Sequence, residues 1–134
     1  KKHPYIIHCG VFGCYERMMA LILEKYAGAL PLWISPTQVK IMSLTDRTSD
    51  DAKKLALRLR EQGIRCEVDV RNEKIGYKIR EAQLEKVPYM IILGDKEKEN
   101  EVVAVRSRNA GDLGTMTEKE FVDKLTKEIT EKVC

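Results

Sequence analysis

The sequence lacks the residue patterns that mark most small enzymes. It has only two histidines, His3 and His8, and neither lies in an HExxH or other metal-spaced motif. None of its serines lies in a GxSxG context. Gly10 and Gly13 are too sparse for a phosphate-binding loop, and a lone cysteine such as Cys14 beside a helix start is usually inert. The residues alone therefore predict no catalytic centre.

The sequence also lacks a disulfide pattern, a membrane-spanning segment and a large net charge. The four cysteines form no CxxC pair, and a chain of 134 residues can bury a core without disulfides. We therefore expect reduced thiols and a cytoplasmic location. No apolar run approaches the roughly 20 residues of a membrane-spanning helix, so no membrane partner is expected. The net charge of +3 is too small to demand nucleic acid, and any basic surface must be local.

Hydrophobic spacing predicts alternating strands and helices. A short strand is expected over 4–9, further strands over 38–44, 65–70, 87–93 and 101–106, and helices over 15–26, 50–62 and 75–86. A last helix opens at the capping box from Thr117 to Glu120. The strand 101–106 is expected to be antiparallel, because the connection from Gly94 is too short for a crossover helix. This order predicts an α/β fold with three layers, in which helices flank a mixed, mostly parallel sheet of the five-stranded type.

Residues 29–36 form a connector that contains Pro31 and Pro36, and it should be extended rather than helical. The composition changes here, so we place a domain boundary between residues 36 and 37. The chain begins at Lys1 without a methionine, and we expect it to be part of a longer protein.

Charged and amide side chains gather at one strand-to-helix junction, with two more at the ends of later strands, and we expect them all to converge on one edge of the sheet. They are Arg71, Asn72, Lys74, Lys78 and Arg80, joined by Glu97 and Arg106. On charge alone a solvated surface is the simpler interpretation, since glutamates at helical spacing supply compensating charge. The mixture of types favours RNA, because amides, carboxylates and guanidinium groups recognise base edges while cations hold phosphates. Tyr77 offers a stacking surface, or is half-buried packing.

Three segments carry a family resemblance. GVFGCYERMMALILEKYAGALPLWISPTQV resembles class II motif 3 and the exit from the catalytic domain of the threonyl-tRNA synthetases. NEKIGYKIREAQLEKVPYMIILGDKE, followed by VAVRSR and GDLGTM, resembles the anticodon-binding domain of that family. The resemblance implies that 1–36 is the end of a catalytic domain and that 37–134 has the class II synthetase anticodon-binding domain fold.

The resemblance also implies roles for individual residues. Arg17 matches the motif 3 arginine that contacts ATP, and His8 matches the third ligand of the catalytic zinc. The positions that match anticodon contacts are Asn72, Lys74, Arg80, Glu97 and Arg106. The chain departs from the motif 3 pattern at Cys9, Gly10 and Cys14, and the last of these replaces a serine of the amino-acid pocket.

The implied function is recognition of the tRNA(Thr) anticodon loop within a threonine–tRNA ligase. The intact enzyme would use ATP and Zn²⁺ and form a homodimer through its catalytic domain. Motifs 1 and 2 are absent, and a catalytic zinc needs three protein ligands, so this chain alone should be inactive and bind neither cofactor. DNA is not an expected partner. The alternative is a stand-alone relative that acts as an RNA- or protein-binding scaffold. A small enzyme built on Cys14 or His8 has no base or metal partner to support it.

Overall fold

The computed structural model describes residues 2–11, 13–95, 97, 100 and 102–133. Its elements are, in chain order, α1 Tyr15–Lys25, β1 Val39–Ser43, a 3₁₀ turn Asp46–Thr48, α2 Ser49–Glu61, β2 Cys66–Asp69, α3 Ile75–Leu84, β3 Tyr89–Leu93, β4 Val102–Ser107, β5 Gly111–Thr117 and α4 Glu118–Glu131. Among these residues no helix combines the length and the apolar character needed to cross a membrane.

The five strands form one mixed sheet in the order β2-β1-β3-β4-β5. β1 pairs in parallel with β2 and β3, whereas β4 is antiparallel to both of its neighbours. The carboxyl ends of β1, β2 and β3 therefore share one edge of the sheet, near Ser43, Asp69 and Leu93. The prediction of a mixed sheet with an antiparallel fourth strand is confirmed.

Helices cover both faces of the sheet, which confirms the three predicted layers. On one face the buried side chains include Ile41, Ile91 and Val105, and they pack with Leu55 of α2 and Phe121 of α4. The opposite face is covered by α3 through a smaller cluster of Met42, Met90, Val87 and Ala82. Residues along each strand alternate between the two faces. The alternation places Lys40, Asp69, Ala104 and Arg106 on the α3 side.

Two points about the predicted elements need correction, namely the strand over 4–9 and the unpredicted β5. The strand predicted over 4–9 is wrong, because no described strand pairs with this segment, and Tyr5, Ile6 and Ile7 are exposed. Helix α1 is confirmed, but it has no buried residue among its 11. The strand β5 was not predicted, and it contains Gly111 and Gly114 at φ values of +71° and +77°. The predicted first residue of β4, Glu101, lies outside the described residues.

The two prolines predicted an extended connector before β1, but part of this connector is helical. The amide of Ser35 donates to the carbonyl oxygen of Pro31 at 3.0 Å, which makes a helical turn in its centre. Leu32 is 2% exposed and belongs to the core between the sheet and α2. The connector therefore packs with the part of the chain that follows it.

Candidate nucleic-acid interface

The segment after β2 carries the first candidate residues. Asn72 and Lys74 are exposed between β2 and α3, at the edge where the parallel strands end. In open α/β sheets this edge is the usual position of a ligand site. Neither side chain has a hydrogen bond or an ion pair with another described residue, so both can contact a ligand.

Arg71, in the same segment, is held by neighbouring carboxylates. Its Nε and Nη2 donate to the two carboxylate oxygens of Asp69 at 3.0 and 2.6 Å, and Nη2 also contacts Glu81 of α3. The side-chain hydrogen bonds from Arg71 hold the pKa of Asp69 below its usual value. The same guanidinium lowers the pKa of Glu81. Arg71 is therefore engaged within the chain and fixes the start of the segment against α3.

Lys78 does not belong to the solvent-facing charged cluster in which its sequence position placed it. The residue is 1% exposed, and its Nζ donates to the carbonyl oxygens of Ser43 and Asp69 at 3.0 and 3.4 Å. These oxygens are the last of β1 and β2. The ammonium group therefore joins the ends of two parallel strands beneath α3, and it is not available to a ligand.

Arg80 lies on the outer side of α3. Glu81, the next residue, turns toward Arg71 near β2, and successive residues of an α-helix are about 100° apart around its axis. Arg80 therefore lies on a different side of the helix from Glu81, and it is exposed. It has no side-chain partner among the described residues.

Glu97 follows β3 at the same edge of the sheet as Asn72. Its Oε2 accepts a hydrogen bond from the amide of Gly94 at 3.0 Å, as the third residue of a helix does in a capping box. A Cβ on Gly94 would lie 2.6 Å from that oxygen and 3.2 Å from Cδ2 of Leu44, so close packing explains why glycine occupies this position. A carboxylate has about four acceptor positions, so Glu97 keeps capacity for a further donor.

Arg106 lies elsewhere than the shared edge that the sequence predicted. Because β4 runs antiparallel to β3, Arg106 pairs with Met90, near the amino end of β3. It is on the α3 side of the sheet, partly exposed, and beside a bulge between β4 and β5. Bulges redirect side chains and are common next to functional sites. Arg106 has no side-chain partner among the described residues.

The α3 side of the sheet therefore combines free cations and a free amide with an exposed aromatic ring. We call this surface the α3 face, and define it by Asn72, Lys74, Tyr77, Arg80 and Arg106. Tyr77 is 51% exposed, and the hydrogen bond between its hydroxyl and Glu81 raises the pKa of that hydroxyl. Amide and guanidinium groups recognise base edges, lysine holds phosphate, and an exposed ring stacks on a base. The α3 face therefore has the chemistry needed to bind single-stranded RNA.

His8 and Arg17 lie far from this surface along the chain, in the segment that precedes the sheet. Both are exposed, and His8 is outside any helix or strand. Among the described residues no group of three or more His, Cys, Asp or Glu side chains could hold a metal ion. A catalytic zinc needs three protein ligands, so His8 does not fit the metal without ligands from another part of a longer protein.

The sequence analysis did not identify two buried residues that support this site from within the fold. Asp69 is buried and binds Arg71, while Lys78 is buried between strand ends. A signal for Lys78 was present, because it falls within the inward helical spacing of Ile75, Ile79 and Ala82. The sequence offered no comparable signal for Asp69.

Known proteins resemble this chain in sequence and in fold. A family model described as "Anticodon binding domain" matches residues 38–128. Threonine–tRNA ligase from Clostridium tetani is 56% identical over 133 residues, which are 99% of this chain and 21% of that protein. The Acetivibrio thermocellus enzyme of the same name is 54% identical over 132 residues, or 98% of this chain and 21% of its own length. The chain thus spans about a fifth of these relatives.

A solved structure agrees with these similarities. The RNA binding domain of threonyl-tRNA synthetase from Cryptosporidium parvum superposes with a TM-score of 0.80 and 32% identity, over 84% of this chain and 28% of that one. The sheet order and the flanking helices are thus shared with a domain described as RNA-binding. The chain belongs to the anticodon-binding domain family and is homologous to threonine–tRNA ligases.

Proposed function

We propose that this chain recognises the anticodon loop of tRNA(Thr) as part of a threonine–tRNA ligase. The main observation behind the proposal is that the basic residues on the α3 side fall into two groups, one bound within the chain and one without a partner. Arg71 and Lys78 are used inside the chain, whereas Lys74, Arg80 and Arg106 have no partner among the described residues. Tyr77 lies three residues from both Lys74 and Arg80, so an exposed ring that can stack on a base accompanies cations that can contact phosphates.

Each residue of the proposed site has a distinct task. Arg106 and Asn72 would donate to base edges, and Glu97 would accept from a guanine edge while it caps its own loop. Lys74 and Arg80 would contact phosphates, which fixes the position of the loop without selecting its sequence. Tyr77 would stack on a base.

The activity of the longer protein follows from the same proposal. It would activate threonine with ATP and transfer it to tRNA(Thr), in the cytoplasm and as a homodimer through a catalytic domain. Residues 1–36 would be the end of that domain. Arg17 would contact the phosphates of ATP, since a planar guanidinium matches phosphate oxygens, and His8 would be one of three zinc ligands. When bound, the zinc would act as a Lewis acid toward the amino acid.

Binding of anticodon stem-loops to the purified chain tests the proposal. Arg106→Ala should cost about 1–3 kcal/mol for the threonine stem-loop and reduce discrimination against other stem-loops. Lys74→Ala should weaken binding to all stem-loops alike and reduce the slope of affinity against salt by about one. Lys127→Ala, on the exposed side of α4, is the matched control and should change neither.

Glu97 needs a variant that keeps its structural hydrogen bond. Glutamine can still accept from the Gly94 amide, but it no longer presents a charged acceptor pair to guanine. Glu97→Gln should therefore leave the stability of the chain unchanged and reduce discrimination at one base. If Arg106→Ala and Lys74→Ala both bind the threonine stem-loop like the unchanged protein, the α3 face is only a solvated surface. The scaffold alternative would then explain the chain better.

A further inference from the structure

The connector between α1 and β1 is fastened to the rest of the chain along its whole length. We call residues 27–35 the strap. Five of its backbone carbonyl oxygens accept hydrogen bonds from side chains of later residues: those of Ala27, Leu30, Leu32, Trp33 and Ser35. A flexible linker would expose these oxygens to water. The strap is instead a fixed part of the fold, anchored by its buried Leu32.

One half of the strap is held from the sheet edge beside β1 and β2. Gln38 Nε2 donates to the carbonyl oxygen of Leu32 at 2.9 Å. Arg65 donates to the carbonyl oxygens of Ser35 at 2.9 Å and Trp33 at 3.0 Å. The backbone amide of Arg65 also donates to Oε1 of Gln38 at 2.9 Å, so the two residues that hold this half of the strap are bound to each other.

The other half of the strap is held by Lys86 and Arg108. Lys86 Nζ donates to the carbonyl oxygen of Ala27, beside the end of α1. Arg108 Nη2 donates to the carbonyl oxygen of Leu30 at 3.2 Å, and its Nη1 donates to that of Lys86 at 2.7 Å. The guanidinium therefore joins the strap to the backbone at the end of α3.

These two residues follow the elements that carry the α3 face. Lys86 lies two residues after the end of α3, which bears Arg80, and Arg108 comes directly after β4, which bears Arg106. Each element thus presents a candidate RNA contact within its length and holds the strap at its end. Upstream of the strap lies α1, whose side chains are not buried among the described residues.

We propose that Lys86 and Arg108 are positioning residues, which hold the strap so that the part of the protein before residue 27 has a fixed orientation relative to the RNA bound on the α3 face. The inference rests on the proposed function. A threonine–tRNA ligase must present the accepting end of a tRNA to its catalytic part while the anticodon loop is bound elsewhere. A rigid strap sets that geometry without touching the RNA.

The test uses the full-length protein that contains this chain. Lys86→Met and Arg108→Met, combined, remove both donor groups and keep an unbranched apolar side chain at each position. Methionine meets the same left-handed backbone at position 86 that lysine does. Three quantities are measured: binding of the threonine anticodon stem-loop, threonine-dependent ATP–pyrophosphate exchange, and charging of intact tRNA(Thr). Replacing Arg108→Met by Arg108→Lys in the double variant keeps one charged donor group and tests whether charging is rescued. Lys127→Met removes an exposed charge and serves as the control.

We expect kcat for charging to fall by about 10- to 100-fold in the double variant, because a displacement on the order of 1 Å between reacting groups has that effect. Stem-loop affinity and pyrophosphate exchange should stay unchanged, KM for tRNA should change little, and Arg108→Lys should recover part of kcat. Unchanged charging would overturn the inference, as would a parallel loss of stem-loop binding or of exchange. Failure of the unsubstituted protein to bind the stem-loop would instead overturn the proposed function itself.

Discussion

The buried Lys78 permits the sharpest prediction about how this fold is supported. Lys78→Met keeps the length and the apolar part of the side chain and removes the ammonium group. The carbonyl oxygens of Ser43 and Asp69 then lose a charged donor at 3.0 and 3.4 Å. A hydrogen bond to a charged group contributes about 1.5–3 kcal/mol, and the longer of these two contributes less. Removing the ammonium also returns part of its desolvation cost.

The balance predicts that Lys78→Met lowers the free energy of unfolding by about 2–3 kcal/mol at neutral pH. Urea unfolding measures this, followed by circular dichroism and by the fluorescence of Trp33, the only tryptophan of the chain. Arg80→Met is the matched control, because it removes an exposed cation from the same helix and should change stability by less than about 0.5 kcal/mol. If Lys78→Met costs no more than this control, Lys78 does not support the strand ends as argued. The two signals should also coincide, since Trp33 belongs to the strap and the strap should unfold with the sheet.

Two further predictions concern acid stability and helix capping. The hydrogen bonds from the Arg71 guanidinium hold the folded-state pKa of Asp69 below the ordinary value of an aspartate, so the ionised carboxylate stabilises the fold above about pH 4. This contribution disappears as the pH falls through the lowered pKa. Asp69→Asn should therefore lower the free energy of unfolding by about 1–3 kcal/mol at pH 7, and its stability should fall less steeply below pH 4 than that of the unchanged protein. Urea titrations at several pH values measure this. If both proteins lose stability equally below pH 4, Arg71 does not stabilise the ionised Asp69 as argued. Thr117 Oγ1 accepts from the amide of Glu120 at 3.3 Å, so Thr117→Ala should lower the free energy of unfolding by about 1 kcal/mol and Thr117→Ser should restore it. Equal stability of the alanine and serine variants would show that the cap is not needed.

Much of the fold could be predicted because its apolar residues repeat at clear periods. The helix predicted over 50–62 is observed as Ser49–Glu61, and the capping box at Thr117 opens α4 as expected. β5 gave no such signal. Gly111 and Gly114 occupy left-handed backbone positions at a turn and a bulge, and glycine in a strand normally argues against one. Its pairing with β4 is a tertiary effect that local propensity does not contain.

The strand predicted over 4–9 failed for the opposite reason. Tyr5, Ile6 and Ile7 have the composition of a strand, but a strand exists only where a neighbour completes its ladder. No described strand lies beside them. Under the proposed function, this neighbour would belong to the catalytic part of the longer protein, and so would the surface that covers the apolar side chains of α1.

The arrangement of the candidate site follows from one strand direction. The sequence correctly indicated that β4 is antiparallel, and an antiparallel strand ends where its neighbour begins. Arg106 therefore lies opposite Met90, three residues before Leu93, or about 10 Å from the edge that carries Asn72 and Glu97. Only the parallel strands β1, β2 and β3 have their carboxyl ends at that edge, so the expected single cluster cannot include a residue from the end of β4. Under the proposed function, residues spread along the α3 face would meet successive nucleotides of an extended single strand, each through a different side chain, whereas a compact group at one edge would suit a small molecule.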